Sequence, residues 1–206
     1  MKKELVIFVL LILLCTVVSI LNPRFLSPLN LQNTANLVGM FGIFSIGLGL
    51  IIITGGIDLS VGSLFALGGV LLSIFLTEWK LPWPVATLLI LLTPMLLGLF
   101  HGFLITWVRI QPFIVTLCGL LIYRGLARFV AGDETKGLGS GEGFEMLQTI
   151  ATGKLLGVPM PFVFLVVIAV IFWFVLHRSV YGRYLFAVGR NEDAARYSGI
   201  NTRFVI

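Results

Sequence analysis

Charge is what this sequence has least of. Of its 206 residues, 14 are Lys or Arg and 9 are Asp or Glu, 11% in all, against 58% hydrophobic residues. So few charges cannot cover so much apolar surface in water, which excludes an ordinary soluble domain. Cysteine and histidine are equally sparse, at two each. Cys15 and Cys118 both lie inside apolar blocks, without the spacing of a disulfide framework or a metal site. His101 and His177 stand apart from each other and from any Cys/Asp/Glu cluster, so they read as packing or interfacial residues and no metal is expected. No GxxxxGK[ST] loop occurs, because Gly153-Lys154 is followed by Leu155 and lacks the upstream glycine. No GxSxG elbow occurs either. No catalytic residues and no bound cofactor are expected, and the chain cannot hydrolyse ATP by itself.

What is present is a series of apolar blocks, at residues 5–21, 34–54, 57–77, 84–107, 112–131 and 161–178. Each is near the ~17–25 residues that cross the hydrocarbon of a bilayer. Asn22-Pro23, Pro28, Gly55-Gly56, Pro82, Pro84 and Pro112 separate them, and Pro159 and Pro161 precede the sixth. Sustained alternation is missing, so the expected class is an all-α, polytopic helical membrane protein rather than a barrel. The first block resembles a signal peptide. No small-x-small cleavage site follows, and an uncleaved first helix is expected.

Basic residues set the expected orientation. With the N-terminus in the cytoplasm, Lys2, Lys3, Arg109, Arg178, Arg183, Arg190, Arg196 and Arg203 are inside, while Arg24, Lys80, Lys136 and Lys154 are outside. This bias matches inner-leaflet retention and accounts for the net charge of +5 without nucleic acid. If 57–77 dipped in and returned, the parity would change. Small residues four apart (Ser45/Gly49, Gly62/Ala66, Gly98/Gly102) suit close helix packing in lipid.

Three constellations carry chemistry. The first is ITGGIDLSVGSLFALGG, residues 53–69, which sets Gly55, Gly56, Asp58 and Ser60 between two apolar blocks. A carboxylate at a helix break within the membrane marks a functional site by default, and transporters build substrate sites near the midplane from broken helices. Asp58 can cap the next helix, or it can line a pathway with Ser60 and bond the hydroxyls of a polar solute. The two roles are compatible. The second pair is Arg124 and Arg128, four apart on one face of the fifth block. Arg128 can snorkel to the outer interface. Arg124, about 10 Å deep by helical rise, can face the bundle interior or the pathway. The third is residues 177–203. Here Asn191 can cap a short helix with Glu192 and Asp193 in its first turn, Gly199 can end it, and Ala194, Ala195 and Tyr197 form a small apolar face. It can be an interfacial loop helix or one that inserts into a groove of a cytoplasmic partner. Between the fifth and sixth blocks, GDETKGLGSGEG opens a flexible polar loop. FEMLQTIATGKLL follows, with Phe144, Leu147 and Ile150 on one helical face, to rest on the bundle or dock an external partner.

TGGIDLSVGS (54–63) together with GRYLFAVGRNEDAARYSGIN (182–201) resembles the permease subunit of ATP-binding-cassette importers of the ribose/xylose/rhamnose/autoinducer-2 type. The resemblance extends to FLSPLNLQN (25–33), IQPFIVTLCGLLIYRGLA (110–127) and LGVPMPF (156–162). It implies a single transmembrane permease domain over 1–206, of vitamin B12-type (type II) importer architecture, working as a dimer in the bacterial inner membrane. About six spans of about ten are present, so a fragment or truncated reading frame is expected. It makes 132–160 an extracytoplasmic loop and 179–203 the cytoplasmic coupling loop. The residues expected to couple to the ATPase are Gly182, Arg183, Gly189, Asn191, Ala194, Ala195, Ser198 and Gly199. Gly55, Gly56, Asp58, Ser60 and Arg124 are expected on the substrate pathway. Implied partners are a two-cassette ATPase that uses the ATP, a periplasmic sugar-binding protein and a second permease subunit. The implied activity is import of a ribose-like monosaccharide. An ion-coupled secondary transporter using Asp58, a non-transporting fragment and a branched-chain amino-acid permease are the alternatives. The sugar itself is not legible, since the resemblance places selection largely in the binding protein.

Overall fold

Proline opens helix after helix in this chain. Pro28, Pro84, Pro112 and Pro161 each occupy one of the first two positions of a long helix. There the missing N–H has no helical partner to lose, and the fixed φ already suits the turn. The computed structural model describes residues 2–139 and 143–205, with the side chains of Lys2 and Lys3 left aside. Residues 140–142 of the polar stretch 132–143 therefore lie outside the described residues, as do Met1 and Ile206.

The helices are α1 (Lys2–Leu21), α2 (Pro28–Ile53), α3 (Val61–Thr77), α4 (Trp83–Thr106), α5 (Pro112–Ala131), α6 (Glu145–Thr152), α7 (Met160–Arg178), α8 (Val180–Arg190), α9 (Glu192–Tyr197) and α10 (Thr202–Val205). A 3-10 turn at Pro23–Leu26 joins α1 to α2. A two-residue antiparallel pair, β1 (Lys154–Leu155) with β2 (Val158–Pro159), precedes α7. The chain is an all-α, multi-pass membrane protein. Five helices (α1, α2, α4, α5 and α7) are long and apolar enough to cross a bilayer, while α3 is shorter at 17 residues. Their outward side chains remain apolar: Leu5 is 65% exposed and Phe129 82%. Only lipid or further protein makes such a surface tolerable.

Two groups of helices form. One packs α2 against α7 and α8; the other packs α3 against α4 and α5. The Phe44–Phe65 edge-to-face ring pair, 5.0 Å between centroids, bridges them. At one end, Lys136 Nζ meets Glu78 Oε1 at 2.9 Å and Lys154 Nζ donates to Gln32 Oε1 at 2.6 Å. The loops before α2, after α3 and after α5 therefore share that end. The other end gathers 54–60, 107–111 and α8–α10. As α3 runs from one end to the other, it does not dip in and return.

Several local expectations change. Gly49, Gly62, Gly98 and Gly102 meet nothing within 4 Å, so the four-residue pairs do not make close helix contacts within this chain. Close approach occurs instead at Gly39, against the backbone of Pro161 and Phe162, and at Gly42, beneath Leu165. Residues 180–190, read as loop, form α8, because Gly182, Leu185 and Val188 give it one buried face. Helix α6 rests on the bundle through Phe144, which is buried with Phe75, Leu76 and Ala86, and through half-buried Leu147.

Candidate functional site

The site begins where α2 stops. The N–H of Gly56 returns to Ile51 O at 2.9 Å and that of Gly55 to Ile52 O at 3.0 Å. Gly55 turns the chain out of the helix at φ +81°, a left-handed conformation that a Cβ would disfavour. The next four residues are not helical. Thr116 Oγ1, on α5, shares its proton between Pro112 O (2.9 Å) and Ile57 O (3.2 Å), and the second contact holds this segment to the second helix group. Asp58 Oδ1 accepts both the N–H of Ser60 (2.7 Å) and its hydroxyl (2.6 Å). Ser60 is fully buried, and its carbonyl accepts from Ser63 Oγ at 2.7 Å.

This geometry refines the expectation for Asp58. Ser60, not Asp58, stands at the N-cap of α3, and Asp58 bonds to that residue rather than to the helix's first turn. It forms an Asx-type turn that orients the carboxylate. The break also lies nearer one end of the helices than their middle. Thr116 lies one turn into α5, about 6 Å from its start by helical rise, so the segment sits toward the end that carries α8–α10.

Both bonds fall on Oδ1. Among the described residues no buried side-chain oxygen or nitrogen lacks a partner. Asp58 Oδ2, which takes no hydrogen bond there, is therefore accessible. Asp58 is one of the residues that line a cavity of about 210 Å³ between the two helix groups, with His101, Gly98, Gly102, Thr116 and Tyr181 among the others. His101 is buried and hydrogen-bonded to the Tyr123 hydroxyl, 2.7 Å from Nε2. The two rings stack with centroids 5.5 Å apart. Gly119 makes room for this pair, because a Cβ there would come 2.7 Å from His101 Cε1. The cavity offers a carboxylate, an imidazole and a hydroxyl within mostly apolar walls, which suits a small neutral polyol better than an anion.

Of the residues expected on the pathway, Gly56 and Asp58 line this cavity and Gly55 the adjoining cleft, while Ser60 is buried behind Asp58 and positions it. Arg124 does not join them. It lies exposed on α5, because Gly119, Tyr123 and Ala127 are the residues that this helix buries, and position 124 is turned about 100° from Tyr123. Arg128, also exposed, reaches Asp133 Oδ1 at 2.7 Å just beyond the helix.

The expected coupling residues divide into two sets. Asn191 caps α9, accepting the N–H of Ala194 at 2.9 Å, and Gly199 ends the segment at φ +84°. Ser198 Oγ donates to Ala194 O at 2.9 Å. Arg183 and Ala194 are exposed. Gly182 lies against the carbonyl of Leu176, Gly189 against that of Ile53, and Ala195 is buried with Leu185, Val188 and Val205. Ala194, Ala195 and Tyr197 thus share no face: Ala195 points inward, while Tyr197 is 84% exposed. Glu192 Oε1 accepts from buried Thr202 at 3.2 Å, and Arg203 lies 5.3 Å above the Trp107 ring, tying α9 and α10 to the α4–α5 loop.

Sequence reasoning passed over Tyr123 and Thr116, and read His101 as a packing or interfacial residue without finding its partner. Thr116, Gly119, Tyr123 and Ala127 do recur at three- and four-residue intervals along α5, a stripe that marks its inward face. Nothing local marked His101, whose partner lies 22 residues away.

Residues 30–206 match the family described as branched-chain amino acid transport system / permease component. The chain is 40% identical, over 94% of its length, to the ribose import permease protein RbsC of Bacillus subtilis (strain 168), of which the match covers 59%. It is 35% identical to the autoinducer 2 import system permease protein LsrD of Enterobacter sp. (strain 638), over 96% of this chain and 61% of that one. It is 33% identical to the galactofuranose transporter permease protein YtfT of Escherichia coli (strain K12), over 87% and 50% respectively. The chain thus spans between half and about three-fifths of the length of these relatives. No solved structure matches it. The extent of the family match and these identities together show that the chain belongs to the branched-chain amino acid transport system permease family, a family of transport subunits and not of enzymes.

Proposed function

We propose that this chain is the membrane permease subunit of an ATP-driven importer for a monosaccharide of the ribose kind. The observation that carries the reading is the accessible Asp58 carboxylate, in a cavity that adjoins a cleft lined by α9. A capped helix at the membrane end and, above it, a cavity that holds a carboxylate are the two parts that a driven transporter needs. The names of the relatives support a sugar as cargo: ribose for one and galactofuranose for another.

In this reading the N-terminus, 54–60 and α8–α10 face the cytoplasm, and 22–27, 78–82 and 132–159 face outward. A separate two-cassette ATPase engages the exposed side of α9 and supplies the ATP hydrolysis. A sugar-binding protein delivers cargo to the outer loops, and a second copy of the permease, in a type II importer arrangement within the inner membrane, completes the pathway. Asp58 Oδ2 and Thr116 bond sugar hydroxyls in transit, with Ser60 and Tyr123 holding their partners in place. No covalent chemistry occurs in this chain.

The test is uptake of labelled ribose by cells that express the chain with such an ATPase and binding protein. Uptake is expected to require the ATPase and to survive a protonophore at constant ATP. Gly199→Trp or Asn191→Trp is expected to abolish uptake and ATPase stimulation. Uptake that persists without the ATPase and collapses with the gradient would instead favour an ion-coupled transporter using Asp58.

A further inference from the structure

The cavity beside Asp58 is not isolated. At the α8–α10 end lies a second, larger cleft of about 700 Å³, whose polar lining includes Arg109, Gln111, Glu192, Asp193, Arg196 and Arg203. Four residues line both spaces: Thr54, Gly56, Ile105 and Pro112. We infer that these four form the constriction of a continuous passage, a gate between the Asp58 cavity and an arginine-lined vestibule that opens toward α9.

Three features support this assignment. The first is chemical. The four residues are small or apolar, with Asp58, His101 and Thr116 on one side of them and the arginines on the other. A narrow apolar ring between two wet chambers closes by excluding water, and small side-chain displacements open it. The second is mechanical. Thr54 and Gly56 flank Gly55, whose φ of +81° is the left-handed turn by which the chain leaves α2. Ile105 stands at the end of α4 and Pro112 opens α5, so the other half of the ring is set on helix ends. Each half belongs to a different helix group, and relative movement of the groups widens or narrows the ring.

The third is the attachment to α9. Asn191 both ends α8 and caps α9, so no loop separates the two helices. In the last turn of α8, Gly189 lies directly on the carbonyl of Ile53, the residue before Thr54. The apolar cluster of Leu185, Val188, Ala195 and Val205 against Leu50 and Ile53 binds this joint together. A push on α9 therefore reaches Thr54 through backbone contact. The part of the proposal that concerns drive rests on the importer reading; the passage itself does not.

Thiol labelling tests the passage without any partner. The background carries Cys15→Ser and Cys118→Ser. Leu64→Cys reports the inner cavity, since Leu64 lines it but not the cleft, and Arg109→Cys reports the vestibule. An impermeant methanethiosulfonate is applied to membrane vesicles from the face that labels Arg109→Cys. Leu64→Cys is expected to react at least tenfold more slowly than Arg109→Cys. Ile105→Ala should speed it by threefold or more, and Gly56→Val should slow it by a similar factor, with Arg109→Cys unchanged in both. Ile105→Ala removes atoms without adding a clash, so it keeps the test sharp where Gly56→Val fails to fold. If Leu64→Cys labels at one rate whatever stands at 105, the gate is refuted. If gating holds but the rate ignores nucleotide when the ATPase is bound, the drive from α9 is refuted and the passage stands.

Discussion

Gly189 offers a test of the joint between α8 and α2 in which the sign of the effect decides. Replacing it by alanine adds one methyl group. That Cβ would overlap Ile53 O and lie 2.9 Å from Ile53 C and 3.5 Å from the Thr54 Cα, so it meets backbone atoms with no side chain that could swing aside. Relief requires α8 to slide along α2, at the cost of the contacts that Leu185 and Val188 make there. Such overpacking costs about 1–3 kcal/mol. Against this, alanine in a helix gains roughly 0.5–1 kcal/mol over glycine. The net loss is about 0–2.5 kcal/mol. For a chain of this length 1 kcal/mol moves the melting temperature by about 2–4 °C, so Gly189→Ala should melt up to about 10 °C lower in detergent. Gly47→Ala, on α2, is the control. Nothing lies within 4 Å of its added Cβ, so only the helical gain applies and the melting temperature should rise by about 1–4 °C. A Gly189→Ala protein as stable as Gly47→Ala would refute the contact, and with it the mechanical link from α9 to the Asp58 segment.

Removing the cap of α9 by Asn191→Ala should free the Ala194 amide, with hydrogen exchange there about fivefold faster, as expected for a cap worth about 1 kcal/mol; Asn191→Asp should retain protection. Tyr123→Phe leaves His101 Nε2 buried without its partner and should cost about 1–3 kcal/mol. The double variant His101→Leu/Tyr123→Phe should recover part of that loss, because it removes both polar groups, and thermal melts of the cycle check this. At the end away from α8–α10 the Lys136 ammonium is held above its ordinary value of 10.5, chiefly by its hydrogen bond to Glu78. A raised pKa contributes stability that is complete below the ordinary value and is lost as pH climbs through the folded one. Wild type should therefore melt slightly above Glu78→Gln at pH 8–9, and the two should converge above about pH 11.

Long-period features were readable from residue order alone. The apolar blocks, the prolines that separate them, and the cap and stop of α9 depend on neighbours within a turn or two, so local chemistry specifies them. The Gly55-Gly56 break was likewise plain, because paired glycines between two apolar runs end a helix. Packing decided the rest. Whether Arg124 faces inward depends on the phase of α5, set by Gly119, Tyr123 and Ala127 pressing on α3 and α4, and one turn of a helix offers no local clue to that phase. The amphipathic helix α8 was hidden in a segment read as a loop, and its Gly182 and Gly189 are points of backbone contact at Leu176 and Ile53. His101 acquired meaning only from a hydroxyl on another helix. The cavity exists because two helix groups leave a space between them. Such a void is a property of distant segments brought side by side, and the spacing of residues along the chain carries no record of it.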